Sequence, residues 1–219
     1  MAGAVARLAE DREHLLAVTD FLYFPNHHLH PDWVSRLEEG DVIGALRGNP
    51  HAEDDLADYL LERFELKHKL WFDFDSTLRR LLLRPRDDIL RIVIHAGAVL
   101  NSRHARHAIR REDVLRLCAG FGEALFDFAL NEAPLAFDLE TLPRMPAPGE
   151  DVDVRAHLVA SGLWCLGSAV RREPAAIIER LYLKMSTAEY PFLEKQPTAF
   201  RSEICKTVIE KLARRKLAL

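Results

Sequence analysis

Glu65-Leu66-Lys67-His68-Lys69-Leu70-Trp71-Phe72-Asp73-Phe74-Asp75-Ser76-Thr77-Leu78 is the stretch on which the fold class turns. A central parallel strand is apolar nearly throughout because both faces are covered, and Glu65 to Lys69 is too charged for that role. Working outward, Leu56, Leu60, Phe64, Leu70, Phe74, Leu78 and Leu81 or Leu82 follow steps of three and four with one offset, interleaved with Glu, Asp, Lys and Arg. That spacing predicts one long amphipathic helix, or two nearly continuous ones, ending at Arg84-Pro85. No run alternates apolar and polar residues over strand length, and helical spacing recurs from end to end. The expected fold is all-α.

The same stretch contains Asp73-Phe74-Asp75-Ser76-Thr77, the Asp-x-Asp-x-Thr pattern of haloacid-dehalogenase-type phosphatases. There the first Asp attacks phosphorus, the second acts as acid and base, and Mg²⁺ offsets the phosphate charge. The pattern needs a strand end in a doubly wound α/β domain, with later strand-borne partners. Asp87-Asp88 follow too soon to be the distant acidic motif. On a helix, Asp73 and Asp75 are solvated acids, and phosphatase chemistry remains as the enzymatic alternative.

Further helices follow from the same signals. Pro85-Arg86-Asp87-Asp88 reopens a helix with acids in its first turn, and Ile89 to Leu100 is apolar nearly all round, as in a central buried helix. A helix from Arg110–Asp113 onward places Val114, Leu117, Cys118, Phe121, Leu125 and Phe128 on one face. Pro134, Pro143, Pro146, Pro148 and Gly149 make 131–153 a loop between helical groups at about 1–130 and 154–219. Asp153 or a neighbour caps a helix at about 154–171 whose Ala160, Ser161, Gly162, Gly167, Ser168 and Ala169 allow close helix approach. Pro174 suits the first turn of a helix to about Met185, and a last helix runs from about Thr198 to the C-terminus. Loops are expected at 39–52 and 190–197. The whole, 1–219, is expected to be a single irregular helical domain.

With 219 residues, 48% hydrophobic and 29% charged, the chain has the composition of a soluble globular protein. A net charge of −4 argues against nucleic acid or an anionic membrane as the main partner. Arg7, Glu10, Asp11 and Arg12 occupy the place where a signal peptide needs an apolar core, and no apolar run approaches the roughly 20 residues of a spanning helix. A cytoplasmic location without membrane insertion is expected. Cys118, Cys165 and Cys205, each in an apolar helical context, are expected to be reduced and buried.

Chemical density is highest in Tyr23-Phe24-Pro25-Asn26-His27-His28-Leu29-His30-Pro31-Asp32-Trp33. The two prolines fix φ at both positions and push Phe24 and His30 towards extended geometry, which predicts a rigid knuckle rather than a helix. The candidate partner-binding residues here are Tyr23, Phe24, Pro25, His28, Leu29, His30, Pro31 and Trp33. The alternative is that they plug one end of the core.

Ten histidines include His27, His28 and His30 together, and His104 with His107 at helical spacing. A helical metal-binding regulatory protein is a second alternative, although no His-Glu-x-x-His pattern or nearby Cys completes a ligand set. Arg103, Arg106, Arg110 and Arg111 form a basic stripe. It is either a solvated face compensating a helix C-terminus or a docking surface for an acidic partner. Lys206, Lys211, Arg214, Arg215 and Lys216 admit the same two accounts. No phosphate loop, nucleophile elbow or catalytic triad is present. No catalytic residue, cofactor or metal is expected.

Tyr23, Pro25, Leu29, His30, Pro31 and Trp33 also match a family pattern: an aromatic, a proline two residues on, an aromatic-Leu-His triplet and Pro-x-Trp. His28 departs from it, standing where the family has Tyr. With Ile92–Asn101 (IVIHAGAVLN), Ala156–Leu166 (AHLVASGLWCL) and Ile204–Leu217 (ICKTVIEKLARRKL) in the same order, the chain resembles the K-type sorting-platform proteins of bacterial type III secretion systems (the YscK, PscK or SctK family) from about Phe21 onward. The resemblance implies a non-catalytic adaptor beneath the inner-membrane ring of the injectisome. Such an adaptor links the cytoplasmic domain of the ring protein (the D component) to the Q-type pods, which connect to the L stator and N ATPase.

Overall fold

A computed structural model describes residues 2–149 and 151–217, with side chains from residue 12 onward. Among these residues there is no strand, and the all-α expectation is met. The helices are α1 Ala2–Tyr23, α2 Pro25–His28, α3 Pro31–Val34, α4 Gly40–Leu46, α5 Glu53–Arg63 and α6 Thr77–Leu83. Then come α7 Arg86–His107, α8 Arg111–Phe121, α9 Glu123–Asp127, a π-helical turn Phe128–Glu132 and α10 Ala133–Ala136. The last four are α11 Val154–Val170, α12 Ala175–Lys184, α13 Tyr190–Glu194 and α14 Ser202–Leu217. The chain packs as two compact units, Met1–Arg86 with Glu173–Tyr190, and Asp87–Arg172 with Pro191–Leu219. The proline-rich segment 137–149 therefore lies inside the second unit.

In the first unit, Leu29, Val34, Ile43, Leu56, Leu60, Leu61, Leu66 and Leu183 form one apolar cluster, with Trp33 and Leu37 packed against it. Two buried cations from α12 complete this core. Arg180 donates from Nη1 to the carbonyls of Ala176 (3.0 Å) and Lys69 (2.8 Å), and from Nη2 to those of Leu22 (2.9 Å) and Leu66 (3.3 Å). Lys184 donates from Nζ to the carbonyls of Leu82 (2.8 Å) and Arg84 (3.1 Å), and lies 4.7 Å from the centre of the Phe21 ring. Of these carbonyls, Leu22 O and Leu82 O lie in the last turns of α1 and α6, where a helix end leaves them without an intrahelical partner. Those of Leu66 and Lys69 belong to the irregular stretch between α5 and α6. Burial pushes Arg180 down to about 10 and Lys184 down to about 7.

The long helix expected across Leu56–Leu82 is interrupted. After Arg63 the chain leaves the helix, Glu65 adopts φ +55°, and residues 64–76 are irregular until Ser76 accepts from Arg79 N and caps α6. Leu66 and Phe74 are fully buried anchors, whereas Leu70, Trp71 and Phe72 between them are exposed. The loop expected at 39–52 contains α4. At 131–153 the helical π turn and α10 occupy the first residues, so only 137 onward is irregular.

The second unit is built on α7 and α11. Asp87 and Asp88 sit in the first turn of α7, and Asp153 caps α11 by accepting from Arg155 N (2.8 Å) and Ala156 N (3.3 Å). The two helices meet through glycine in both directions. A Cβ on Gly97 would lie 2.1 Å from the Leu158 carbonyl oxygen, and one on Gly162 would lie 1.9 Å from that of Val93. Only a residue without Cβ permits that approach, as the small residues of α11 predict. Beside the contact, Asn101 donates to Gly97 O (2.9 Å) and Ser161 Oγ (3.2 Å), and accepts from His157 Nε2 (3.1 Å). Burial holds His157 below the usual imidazole range, so this network is neutral.

α14 packs along α11 with Cys205, Val208, Ile209, Leu212 and Ala213 buried. It begins at Ser202, after the expected Thr198, and its expected end at Leu219 lies outside the described residues. The helix expected from 110 to 128 breaks at Gly122, whose φ is +80°. The cysteines are free, but Cys118 is half-buried rather than buried, because it sits at the margin of the α8 apolar face.

Candidate functional site

The segment 23–33 is not a helix-free knuckle. It is two single helical turns, α2 and α3, each opened by a proline at a position where its missing N–H costs nothing. His30 is extended (φ −66°, ψ 139°), as a residue before proline should be. Its Nδ1 accepts from Asp32 N (3.2 Å) and its own N–H donates to Leu183 O (2.8 Å), so His30 works as a cap. Trp33 is half-buried, donates from Nε1 to Met185 O (2.8 Å) and meets Tyr190 edge-on at 5.7 Å. Arg47, from the end of α4, donates to Asn26 O (2.9 Å) and Leu29 O (2.8 Å) and clamps α2.

Pro25 and Leu29 are therefore interior, and Phe24, His28, His30 and Trp33 are half-buried. Only Tyr23 and Pro31 of the eight candidates stay exposed, with His27 between them in sequence.

The structure adds a charged cluster here. His27 places Nδ1 2.5 Å from Asp20 Oδ1 and Nε2 2.6 Å from Glu53 Oε1, with its ring stacked on Phe24. Facing carboxylates from both nitrogens, the ring is held as an imidazolium. Partial burial lowers the His27 pKa, but Asp20 and Glu53 outweigh it and raise the net value. His28 Nε2 lies 2.6 Å from Asp20 Oδ2. Burial lowers the His28 pKa, and nearby Lys184 adds to that. Burial works to raise the Asp20 pKa, yet the two histidines hold it below the usual carboxylate range.

These nitrogens are engaged by carboxylates at hydrogen-bond distance, and His30 by a backbone N–H. Among the described residues, no three His, Cys, Asp or Glu converge as a metal needs. Asp20, Glu53, Arg47, Arg180 and Lys184 escaped the sequence reading; the break at Phe24 between α1 and α2 is what brings His27 back onto Asp20.

The basic stripe divides into two parts. Arg103 donates to the Leu139 carbonyl and pairs with Glu140 (3.1 Å), and His104 is bonded to Met145 O (2.8 Å), so both hold the segment that follows α10. Arg106, Arg110 and Arg111 are exposed and make no ion pair among the described residues. Arg106 is in the last turn of α7, where the dipole welcomes a cation, but Arg110 and Arg111 stand at the start of α8, where it does not. Charge compensation of a helix C-terminus explains the first and fails for the other two. Ile109 among them is 93% exposed. A groove of about 390 Å³ opens beside Arg106 and His107.

Asp73 and Asp75 sit in the irregular stretch before α6. Asp73 Oδ1 accepts from Asp75 N (3.2 Å), and its Oδ2 pairs with Arg79 Nη1 (2.5 Å). With no strand among the described residues, the sheet that carries the phosphatase pattern is absent, and the pattern is here a turn and an ion pair.

No helix among the described residues is long and apolar enough to cross a membrane. Comparison with curated proteins and with solved structures yields no match. The model of one protein family, described as YOP proteins translocation protein K (YscK), matches residues 15–217. That span contains the proline-histidine segment and the three helical blocks that form α7, α11 and α14, and the chain belongs to the YscK family of type III secretion proteins.

Proposed function

We propose that the chain is a non-catalytic adaptor of a type III secretion apparatus, located at the cytoplasmic face of its inner-membrane ring. It joins the cytoplasmic domain of the ring protein (the D component) to the Q-type pods of the sorting platform, and through the pods to the L stator and N ATPase. The observation that carries this reading is the family match over nearly the whole chain. It is supported by an exposed Arg106, Ile109, Arg110, Arg111 surface, of which the helix dipoles account for Arg106 alone. Such a surface suits an acidic protein partner, for which complementary charge speeds encounter and selects orientation.

The test is binding of the purified full chain to the ring protein's cytoplasmic domain and, separately, to the pod protein of the same system. Binding to each is expected without a small-molecule cofactor. Replacing Arg106→Glu and Arg110→Glu together should weaken one of the two interactions by about tenfold while the melting temperature stays unchanged. No binding to either partner at tens of micromolar or so, ample for a transient interface, overturns the adaptor reading.

A further inference from the structure

A second groove, of about 490 Å³, lies in the first unit. One side is α1, with Leu16, Thr19 and Asp20; the other is the start of α5, with Glu53 and Asp54; Phe24 and His27 complete it. Its lining holds three carboxylates and neither Lys nor Arg. His27 is its one basic side chain and is spent between Asp20 and Glu53. Asp54 and its neighbour Asp55 are exposed and make no ion pair among the described residues.

Acids in the first turn of α5 are favoured by its dipole, so their charge has a local cause. The apolar part has none. Leu16 is 57% exposed on the wall that α1 contributes, and the half-buried ring of Phe24 lines the same groove. An exposed leucine at an open groove gains nothing within the unit, whereas covering it would bury apolar surface. Apolar contact surface with an acidic rim is complementary to a helix that carries leucine-type residues on one face and Lys or Arg along its margins.

We propose that this groove docks a basic amphipathic helix of a partner protein, with apolar side chains on Leu16 and Phe24 and cations against Asp54 and the Glu53 oxygen that His27 does not engage. The proposal rests on the adaptor reading and adds to it that the two units recruit partners of opposite charge. The Arg106–Arg111 surface selects an acidic segment, and the Leu16–Asp54 groove selects a basic one. An adaptor built this way rejects the wrong partner at each site by like-charge repulsion.

The test uses the full chain against the ring protein's cytoplasmic domain and the pod protein, with association and dissociation rates followed separately for each. Leu16→Lys with Asp54→Lys changes two exposed positions and should leave the chain folded, with only a small drop in melting temperature from placing a cation at the start of α5. It should weaken binding to one partner by about tenfold or more and spare the other. Thr19→Glu, which adds a carboxylate to the groove, should raise the association rate for that same partner, with the gain lost in high salt. Unchanged binding of both partners by the double variant overturns the proposal, as does equal loss of both or slower association of Thr19→Glu. A wild-type chain that binds neither partner overturns the adaptor reading and this inference with it.

Discussion

The second unit is sealed by the absence of side chains, and the first by the presence of charged ones. Between α7 and α11, Gly97 and Gly162 each receive a carbonyl of the opposite helix, and the nearby Asn101, Ser161 and His157 form a neutral, paired network. Apart from α1, the first unit has short helices and irregular connections, which leave many backbone carbonyls without ladder partners. Arg180 and Lys184 reach into its core to collect them, and His27 ties α1 to α5 from the surface. Long helices satisfy their own backbone and need only to fit. Short ones must be satisfied from outside, and a buried cation that donates several hydrogen bonds does this from one position.

The largest expected effect tests the fit. Gly162→Val would put a Cβ 1.9 Å from Val93 O and 2.7 Å from Val93 C, both backbone atoms that no rotamer change can move. Overpacking against backbone should cost at least about 3 kcal/mol. Amide exchange should show α7 and α11 losing protection. Gly44→Ala in α4 is the matched control, since nothing lies within 4 Å of the added Cβ. It should be neutral or stabilising by up to about 1 kcal/mol through helix propensity. A Gly162→Val protein that melts like wild type would remove close glycine packing as the basis of the second unit.

The same contrast explains what could be read in advance. Helices α7, α11 and α14 are long and their apolar faces are continuous, so the sequence shows all three, α11 to within a residue and α14 with a start about four residues early. The interruption at 64–76 is hidden because its buried anchors, Leu66 and Phe74, are eight residues apart, close to two helical turns. Leu70 between them completes a false helical pattern while standing in solvent. The turn at Glu65 has φ +55°, and nothing in the identity of a glutamate announces it. The proline positions marked the right segment at 23–33, but their effect is to start two short helices rather than to prevent them. Of the candidate site residues, those assigned to partners by chemistry alone mostly turned inward. Arg110 and Arg111 became informative only once the helix start beside them was known.

A smaller effect tests the buried cations by pH. Burial holds Lys184 at about 7, against 10.5 for the free side chain. Between those values the unfolded chain binds a proton that the folded chain does not, so the free energy of unfolding rises with pH. His27 works in the opposite direction, because its pKa is raised and its contribution is lost as pH climbs through the folded value. The Lys184 titration alone should raise stability on the order of 2 kcal/mol from pH 7 to pH 9. Lys184→Met should flatten that rise, measured by denaturant unfolding at each pH. A slope that persists in the variant assigns the titration to another group.

The smallest effect separates buried from exposed charge within one contact. Arg79 is shared by two carboxylates, Asp73 at 2.5 Å and Glu173 at 2.6 Å, but the Asp73 side chain is 55% exposed and that of Glu173 only 5%. Solvent screens the first pair and barely reaches the second. The bond from Asp75 N and the Arg79 contact hold the Asp73 carboxyl below the usual range, yet water replaces both readily when the charge is removed. Asp73→Asn keeps an oxygen for Asp75 N, and Arg79 remains fixed by Glu173, so the melting temperature should move by no more than about 2 °C. Glu173→Gln takes the charge from the buried partner and leaves Arg79 poorly matched, so its shift should be several times larger. Equal shifts would mean that burial does not decide which charges hold the first unit, and the contrast with the second would lose its physical basis.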